Sequence, residues 1–200
     1  MGKVSKLNKR IAAICMGFVL MLSFASCGSK GGFEDVLASG TPSDLSGYEG
    51  MIDYDKDSML VDMTVEDMDK RMSDGESFVV LFSYEDCPYC NRLLPYFNDA
   101  AIDAGVHVGY INTRRNPEWE SNMDIDGYDT VVERFGEWLE KDEDGRQHLY
   151  TPDAYFIKNG KVVSHHDGVT PGADDPNAEL TSEQEKTLKS NLAEEFESIK

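Results

Sequence analysis

The motif Cys87-Pro88-Tyr89-Cys90 constrains the fold of this chain more than any other feature. It follows the apolar run 78–82 after a four-residue turn and opens a segment with helical periodicity. Two cysteines separated by two residues lie within one helical turn, so they can switch between a dithiol and a disulfide. Unpaired N–H groups at a helix N-terminus stabilise a thiolate. We therefore expect Cys87 to be a nucleophile and Cys90, one turn further along, to be a buried resolving thiol.

The N-terminus has the pattern of an export signal. Residues 1–26 begin with four basic side chains and no acid, and an apolar run of about 14 residues follows. That run is shorter than the roughly 20 residues that a bilayer span requires, so it predicts a signal peptide. Small residues precede Cys27, which resembles the lipobox of bacterial lipoproteins. The resemblance implies a lipid on Cys27 and an extracytoplasmic chain anchored to the bacterial cell membrane. An ordinary cleaved signal and an uncleaved anchor stay open as alternatives.

The cysteine count points to redox exchange or metal binding. Of four cysteines, Cys15 lies in the signal core and Cys27 at the lipidation position, which leaves the motif pair. An exported chain that keeps one CxxC pair uses it for disulfide exchange or for a metal. His165 and His166 could complete a metal site, but adjacent residues on a strand point to opposite faces. We therefore predict no metal and no cofactor.

Acidic residues dominate the exported part of the chain. The whole chain has a net charge of −19, and the part from residue 27 onward has 15 basic and 38 acidic residues, a net charge of −23. Such a surface argues against nucleic acid or anionic lipid head groups as binding partners. Residues 27–57 are rich in Gly, Ser and Asp and predict a flexible tether. Residues 58–200 then form one domain.

Local patterns in residues 58–200 predict alternating strands and helices. The strands are predicted at 59–62, 78–83, 106–111, 154–158 and 161–165. The helices are predicted to be capped by Thr64, Cys87, Asp129 and Ser182, the last with Glu185 in a capping box. Asn159-Gly160 between two apolar runs indicates a tight hairpin. The order predicts an α/β fold with a mixed sheet, helices on both faces, and an acidic, partly helical insert at about 113–150.

This combination of features resembles the thioredoxin-like superfamily over residues 58–200. The resemblance is carried by Phe82 in the strand before the motif, the CxxC motif itself, Pro95, and Thr151-Pro152 before the hairpin strands. It implies a cis Thr151-Pro152 bond beside the dithiol and substrate binding by Tyr89, Thr151 and Pro152. It also implies strand-like pairing of a client segment with the backbone beside Pro152, disulfide- or thiol-bearing protein clients, and a redox partner protein.

The chain departs from thioredoxin in two respects. Cys-Pro-Tyr-Cys is the motif of glutaredoxins, and Leu81 occupies the position at which thioredoxins have a buried acid. In the family that acid is associated with deprotonation of the resolving cysteine, which leaves Glu85, Asp86 and water as candidate proton acceptors here. The lipid signal and the insert also resemble Gram-positive thioredoxin-like lipoproteins, including bacteriocin transport accessory proteins.

The combined features predict an extracytoplasmic thiol–disulfide oxidoreductase that uses Cys87 and Cys90. The alternative is a non-catalytic accessory or binding lipoprotein with the same fold, for example one that serves peptide export. A metal chaperone is a third interpretation. The presence of both cysteines and of Pro152 favours the enzyme.

The insert contains a second ligand-like pattern. Residues 122–127 with Glu133 fit an EF-hand calcium loop, except that Asn122 replaces the first aspartate. The competing interpretation is an acidic turn in which Asp129 caps a helix. We predict a lid or recognition element rather than a calcium module, because loops beside a rigid site carry specificity. Three aromatic residues of the insert are then expected to pack in the core or the lid: Trp119, Trp138 and Tyr150.

Overall fold

A five-stranded mixed sheet forms the centre of the protein in a computed structural model that describes residues 33–51 and 56–200. The strands in chain order are β1 (Leu60–Asp62), β2 (Phe78–Ser83), β3 (Val108–Asn112), β4 (Glu140–Lys141), β5 (Gln147–His148), β6 (Asp153–Lys158) and β7 (Lys161–Asp167). The helices are α1 (Val65–Ser73), α2 (Pro88–Ala104), α3 (Tyr128–Phe135) and α4 (Ser182–Ser198). Strands β4 and β5 form a separate two-stranded sheet.

The strand order in the main sheet is β1-β3-β2-β6-β7. Strand β3 pairs in parallel with β1 and β2, whereas β6 pairs antiparallel with β2 and β7. Helices α2 and α4 cover one side of the sheet, here called the dithiol face because α2 begins at the CxxC motif. Helices α1 and α3 cover the other side, here called the opposite face. This topology confirms the predicted fold class of the thioredoxin type.

Strand β2 serves both layers because successive side chains of a strand point to opposite faces. Every residue of β2 is buried. Leu81 joins the core of the dithiol face, whereas Val80 and Phe82 join the core of the opposite face. Ser83 continues the alternation on the side of Leu81. This position places a buried hydroxyl near the start of α2.

Three predicted features of the helices can be checked against their termini. Thr64 caps α1 in a capping box, as predicted. Helix α4 begins one residue earlier than predicted, because Thr181 and Gln184 form the capping box instead of the next pair along the chain. Asp129 does not cap α3 and lies in its first turn instead. Gly127, with φ of 82°, makes the turn that starts this helix.

The predicted tether is wrong for residues 33–51. Leu37, Leu45 and Tyr48 are buried, and Pro42 forms an antiparallel bridge with Val61 of β1. This segment therefore belongs to the folded domain and contributes side chains to both faces of the sheet. The Gly, Ser and Asp content suggested flexibility, and Leu37, Leu45 and Tyr48 are too widely separated along the chain to form a local apolar run.

The predicted signal peptide at 1–26 and the lipidation residue Cys27 lie outside the described residues and stay predictions. Within the described part of the chain, no helix is both long enough and apolar enough to cross a membrane.

The insert is part of the core as well as of the surface. Between β3 and β6 it forms a short 3-10 turn (Asn122–Asp124), helix α3 and the β4–β5 hairpin. Val131 and Phe135 of α3 are fully buried against the opposite face, and Arg134 pairs with Asp69 of α1 at 2.6 Å. The partly helical character of the insert is therefore as predicted, but its helix also completes one layer of the fold.

Candidate active site

Cys87 lies where the β2 strand turns into helix α2. It is the N-cap residue of the helix, and Pro88 fills the first helical position, where the missing N–H has no cost. The Cys87 sulfur accepts a hydrogen bond from the backbone N–H of Cys90 at 3.3 Å. The sequence therefore builds a thiolate site locally, from a strand end and a helix start.

The surroundings of Cys87 lower the pKa of its thiol to about 6. The largest cause is a hydrogen bond with the Cys90 thiol, and burial opposes it. The backbone N–H groups of Cys90 and Tyr89 and the hydroxyl of Thr151 also stabilise the thiolate. Cys87 is therefore largely ionised at neutral pH and can act as a nucleophile.

Cys90 is the more deeply buried of the two thiols. Both cysteines are free thiols, and Cys90 is 1% exposed. Burial raises the pKa of Cys90, as do the hydrogen bond and the charge of Cys87, while a hydrogen bond with Ser83 lowers it. The two thiols thus have opposite acidities, and Cys90 fits the predicted position of a resolving thiol.

Thr151 brings the β6 end of the sheet to the dithiol. In its protonated form the Cys87 thiol donates to the Thr151 carbonyl oxygen at 3.4 Å, and the Thr151 hydroxyl lies 3.9 Å from the same sulfur. The Thr151-Pro152 peptide bond is cis, as the resemblance implied. Residues separated by 64 positions in the chain therefore meet at one sulfur atom.

A groove of about 340 Å³ lies along Thr151 and Pro152, next to the segment that contacts Cys87. The insert supplies Trp138 and Tyr150, whose side chains are 38% and 50% exposed, and the Tyr150 ring stacks on His148. Tyr89 lines the groove from the other side, and its hydroxyl donates to the Asp174 carbonyl at 2.6 Å. The residues predicted to bind substrate, Tyr89, Thr151 and Pro152, all line this groove.

Asn122 links the insert to Thr151, and the sequence analysis did not assign it this role. Its amide nitrogen donates to the Leu149 carbonyl at 2.9 Å and lies 3.4 Å from the Thr151 hydroxyl. Its amide oxygen accepts from the Thr113 hydroxyl at 2.9 Å. The side chain predicted to replace a calcium ligand therefore holds the segment that contacts Cys87.

The two histidines point to opposite faces, as the sequence predicted. His165 contacts Asp153 at 2.5 Å on the opposite face, and His166 contacts Glu195 of α4 on the dithiol face. Each histidine is engaged by a carboxylate. Within residues 33–51 and 56–200, no cluster of three His, Cys, Asp or Glu side chains is arranged to hold a metal ion.

A chain of buried hydroxyl groups lies beside Cys90, and no sequence motif indicated it. The Tyr48 hydroxyl lies 2.8 Å from the Ser83 hydroxyl and 2.8 Å from the Tyr110 hydroxyl. Tyr48, Ser83 and Tyr110 are at most 2% exposed. These three groups, called the hydroxyl cluster, come from the N-terminal segment, β2 and β3, so only the tertiary structure brings them together.

Comparisons with known proteins leave the activity open. No protein-family model matches the chain. Bloodstream-specific protein 2 of Trypanosoma brucei brucei is 26% identical over 109 residues, which are 53% of this chain and 17% of that protein. The chain therefore spans less than a fifth of that relative.

Two solved thioredoxin structures resemble parts of the chain. Oxidised thioredoxin from Plasmodium falciparum is 18% identical, with 69% of this chain and 97% of that chain covered and a TM-score of 0.37. A poplar thioredoxin h mutant is 13% identical, with 80% and 90% covered and a TM-score of 0.39. At these values the fold assignment depends on the strand order, the CxxC position and the cis-proline described above.

Proposed function

We propose that this protein is a thiol–disulfide oxidoreductase that acts outside the cytoplasm and is anchored to the bacterial cell membrane by a lipid on Cys27. One observation carries the catalytic part. The Cys87 thiol has a pKa of about 6, contacts the Thr151 carbonyl and lies one helical turn from the buried Cys90. This arrangement supports nucleophilic attack on a disulfide by one thiol and resolution by the other.

In the reductive direction the Cys87 thiolate attacks one sulfur of a client disulfide. A bond forms between Cys87 and that sulfur, and the other client sulfur leaves as a thiolate. Cys90 then loses its proton and attacks Cys87, which releases the second client thiolate and leaves a Cys87–Cys90 disulfide. The client gains two electrons, and a redox partner protein then supplies two electrons that reduce the Cys87–Cys90 disulfide to the dithiol. The oxidative direction is the reverse sequence.

Client binding is proposed to use the backbone beside Pro152 and the aromatic groove. The Thr151 carbonyl already faces Cys87, so an extended client segment can pair there while its cysteine meets the sulfur. Trp138 and Tyr150 offer exposed rings in the same groove. The insert thus acts as a recognition element, and its acidic residues disfavour acidic clients.

The central test measures thiol acidity and turnover together. Alkylation of the reduced protein by iodoacetamide, followed residue by residue with mass spectrometry, is expected to modify Cys87 with a midpoint near pH 6 and to leave Cys90 unmodified. The protein is also expected to reduce a protein disulfide catalytically with a small dithiol as donor. A non-catalytic accessory protein would show an ordinary Cys87 midpoint and no turnover.

The groove is tested by point substitutions, because deletion of the insert would remove buried core side chains. Trp138→Ala and Tyr150→Ala are expected to raise the KM for a peptide client while the Cys87 alkylation midpoint stays unchanged. Val163→Ala is the matched control, since Val163 is an exposed apolar residue outside the groove. Equal KM values for all three variants would contradict the recognition role.

The location is tested on protein from the native membrane. Mass spectrometry is expected to find Cys27 as the N-terminal residue with a diacylglyceryl adduct. The proposal is supported by the basic, apolar and small-residue pattern before Cys27. An unmodified N-terminus at another position would contradict it.

A further inference from the structure

Resolution by Cys90 requires that a buried thiol lose its proton. Cys90 is 1% exposed, and burial raises the pKa of its thiol. A direct transfer to bulk water is blocked by the surrounding core. Leu81, on the same face of β2, is also buried and has no group that could accept the proton.

The hydroxyl cluster provides a continuous path away from Cys90. The Ser83 side chain lowers the pKa of Cys90, the Tyr48 hydroxyl bonds with the Ser83 hydroxyl at 2.8 Å, and the Tyr110 hydroxyl bonds with the Tyr48 hydroxyl at 2.8 Å. A hydroxyl both donates one proton and accepts others. The three hydroxyl groups can therefore all donate outward, in the direction from Cys90 to Tyr110. They can also all donate inward, in the direction from Tyr110 to Cys90.

The charge of an exposed carboxylate, that of Glu85, acts on the outer end of the cluster. Burial raises the pKa of Tyr110, and the charge of Glu85 raises it further. The Glu85 carboxylate lies against Gly47, where an added Cβ would approach it to 2.2 Å. Other titratable or charged groups near this region are Cys87, Tyr84, Asp86, Arg114 and Arg115.

We propose that the hydroxyl cluster carries the proton of Cys90 towards the solvent during resolution, with Ser83 as the group that accepts it from the thiol and Tyr48 and Tyr110 as the groups that pass it on. The Cys90 S–H bond breaks, the S–S bond to Cys87 forms, and the client thiolate leaves. The proton moves from Cys90 to Ser83, while one proton moves from each hydroxyl to the next and one leaves Tyr110 for water. The inference rests on the proposed function, because it concerns its second step.

The proton transfer also explains how a Cys90 thiolate can exist in this core. After the transfer every hydroxyl of the cluster donates inward, and Ser83 donates to the Cys90 sulfur. A hydrogen bond to the charged form stabilises that form. A carboxylate in the same place could accept the proton, but while ionised it would disfavour the Cys87 thiolate. The hydroxyl path stays neutral before and after each turnover.

The test separates the two steps with a small aromatic disulfide. The full chain, with Cys15→Ser and Cys27→Ser so that only the dithiol reacts, is reduced and mixed with dithiobis(nitrobenzoic acid). The first nitrothiophenolate released reports attack by Cys87, and the second reports resolution by Cys90. Both rates are measured between pH 5 and about pH 9, in water and in deuterium oxide.

Ser83→Ala and Tyr48→Phe are expected to slow the second release at pH 7 by at least about tenfold and to leave the first unchanged. The second release should then accelerate with pH over a range in which the unsubstituted protein is level, with a smaller solvent isotope effect. Ser83→Thr, which keeps a hydroxyl, should restore the rate. Tyr155→Phe, which removes a buried hydroxyl from the opposite face, is the matched control and should leave both releases unchanged.

Two results would contradict either the inference or the proposed function on which it rests. If the second release keeps its rate and pH profile in Ser83→Ala, Tyr48→Phe and Tyr110→Phe, the hydroxyl cluster has no part in resolution, although the oxidoreductase proposal stands. If the unsubstituted dithiol gives no second release, Cys90 does not resolve and the proposed function itself fails. Circular dichroism of each variant confirms that a slow second release comes from a folded chain.

Discussion

The two faces of the sheet contain tyrosine clusters of different chemistry. On the dithiol face, the Tyr48 hydroxyl bonds with the hydroxyl groups of Ser83 and Tyr110. On the opposite face, the Tyr155 hydroxyl donates to Asp153 at 2.6 Å, and Asp153 contacts His165 at 2.5 Å. One cluster therefore has no formal charge at neutral pH, whereas the other is built on a carboxylate and an imidazole.

This difference shows how a redox pair can coexist with buried polar groups. A buried carboxylate next to Cys87 would oppose its thiolate, because like charges disfavour ionisation. The charged pair is instead on the other side of the sheet, where it packs against aromatic rings of the opposite face. Titration at the dithiol is thus governed by the two thiols and their hydrogen bonds.

The largest expected effect tests whether disulfide exchange takes place on the dithiol face. Cys87→Ala should abolish disulfide exchange, and Cys90→Ala should accumulate a mixed disulfide with the client, because attack persists without resolution. His165→Gln on the opposite face should retain turnover. The measurement is turnover with a protein disulfide, together with non-reducing electrophoresis to detect the trapped species. A trapped species in Cys87→Ala would reverse the roles of the thiols.

The N-terminal segment should prove to be held by both faces. Leu37 packs against the opposite face and Leu45 against the dithiol face. Leu37→Ala and Leu45→Ala are each expected to lower the free energy of unfolding by about 2–5 kcal/mol. Urea denaturation measures both, with exposed Ser39→Ala as control. If both leucine variants change the free energy of unfolding by less than about 0.5 kcal/mol, the segment is a flexible tether and not part of the core.

Removal of one hydroxyl from each cluster should distinguish charged from neutral hydrogen bonds. Tyr155→Phe is expected to cost about 1.5–3 kcal/mol of unfolding free energy, because its partner is a carboxylate, and Tyr48→Phe about 0.5–1.5 kcal/mol. Denaturant titration of the two variants against the unsubstituted protein gives the difference. A larger cost for Tyr48→Phe would contradict the contrast between the faces.

The opposite face should make stability fall as pH rises near neutrality, whereas the lowered pKa of Cys87 on the dithiol face acts in the opposite direction. Burial lowers the pKa of His165, but the hydrogen bond and charge of Asp153 outweigh it, so the pKa is raised overall from 6.5. The folded state therefore binds a proton more tightly, and this contribution is complete below pH 6.5 and is lost as pH rises through the folded-state value. Burial also raises the pKa of Asp153, which acts in the same direction.

We accordingly expect the free energy of unfolding of a Cys87→Ala variant, which lacks the opposing thiol, to decrease as pH rises from about 6.5, and His165→Gln in that background to remove the decrease. Urea denaturation across this range measures it. If the free energy of unfolding falls equally with pH in the His165→Gln variant, a group other than His165 causes the decrease.

The smallest expected effect concerns calcium. Asn122 already bonds with Leu149, Thr151 and Thr113, so its amide is committed to the protein. Addition of millimolar calcium should leave the melting temperature of the protein nearly unchanged. A rise that saturates with a micromolar dissociation constant would make the insert a calcium-ordered loop.

The sequence predicted the parts of the fold that depend on local patterns. The buried β2 strand, the Thr64 cap and the Asn159-Gly160 turn, with φ of 52° and 74°, are each determined by neighbouring residues. The acidity of Cys87 was expected from the helix start, but its largest cause is the Cys90 thiol.

The missed features depend on contacts between distant positions. Tyr48 lies in a Gly- and Ser-rich segment and meets Tyr110 across 62 residues. Asn122 fitted a calcium pattern, and only its contact with Thr151, 29 residues away, indicates its role. Composition and periodicity describe neighbours along the chain, so neither could reveal these partners.

The bonds of Asn122 also set the rule for exchanging the insert between related proteins. A graft that replaces residues 114–150 exchanges Asn122 and Leu149 but leaves Thr113 and Thr151 in the recipient. If the donor segment has no amide at the equivalent place, the recipient's Thr151 loses its support while Cys87 stays in position. To transfer client preference, the grafted insert must therefore contain an amide side chain at the position of Asn122. A chimera designed on loop length alone would have the new groove, but its Thr151 would be misplaced relative to the Cys87 sulfur.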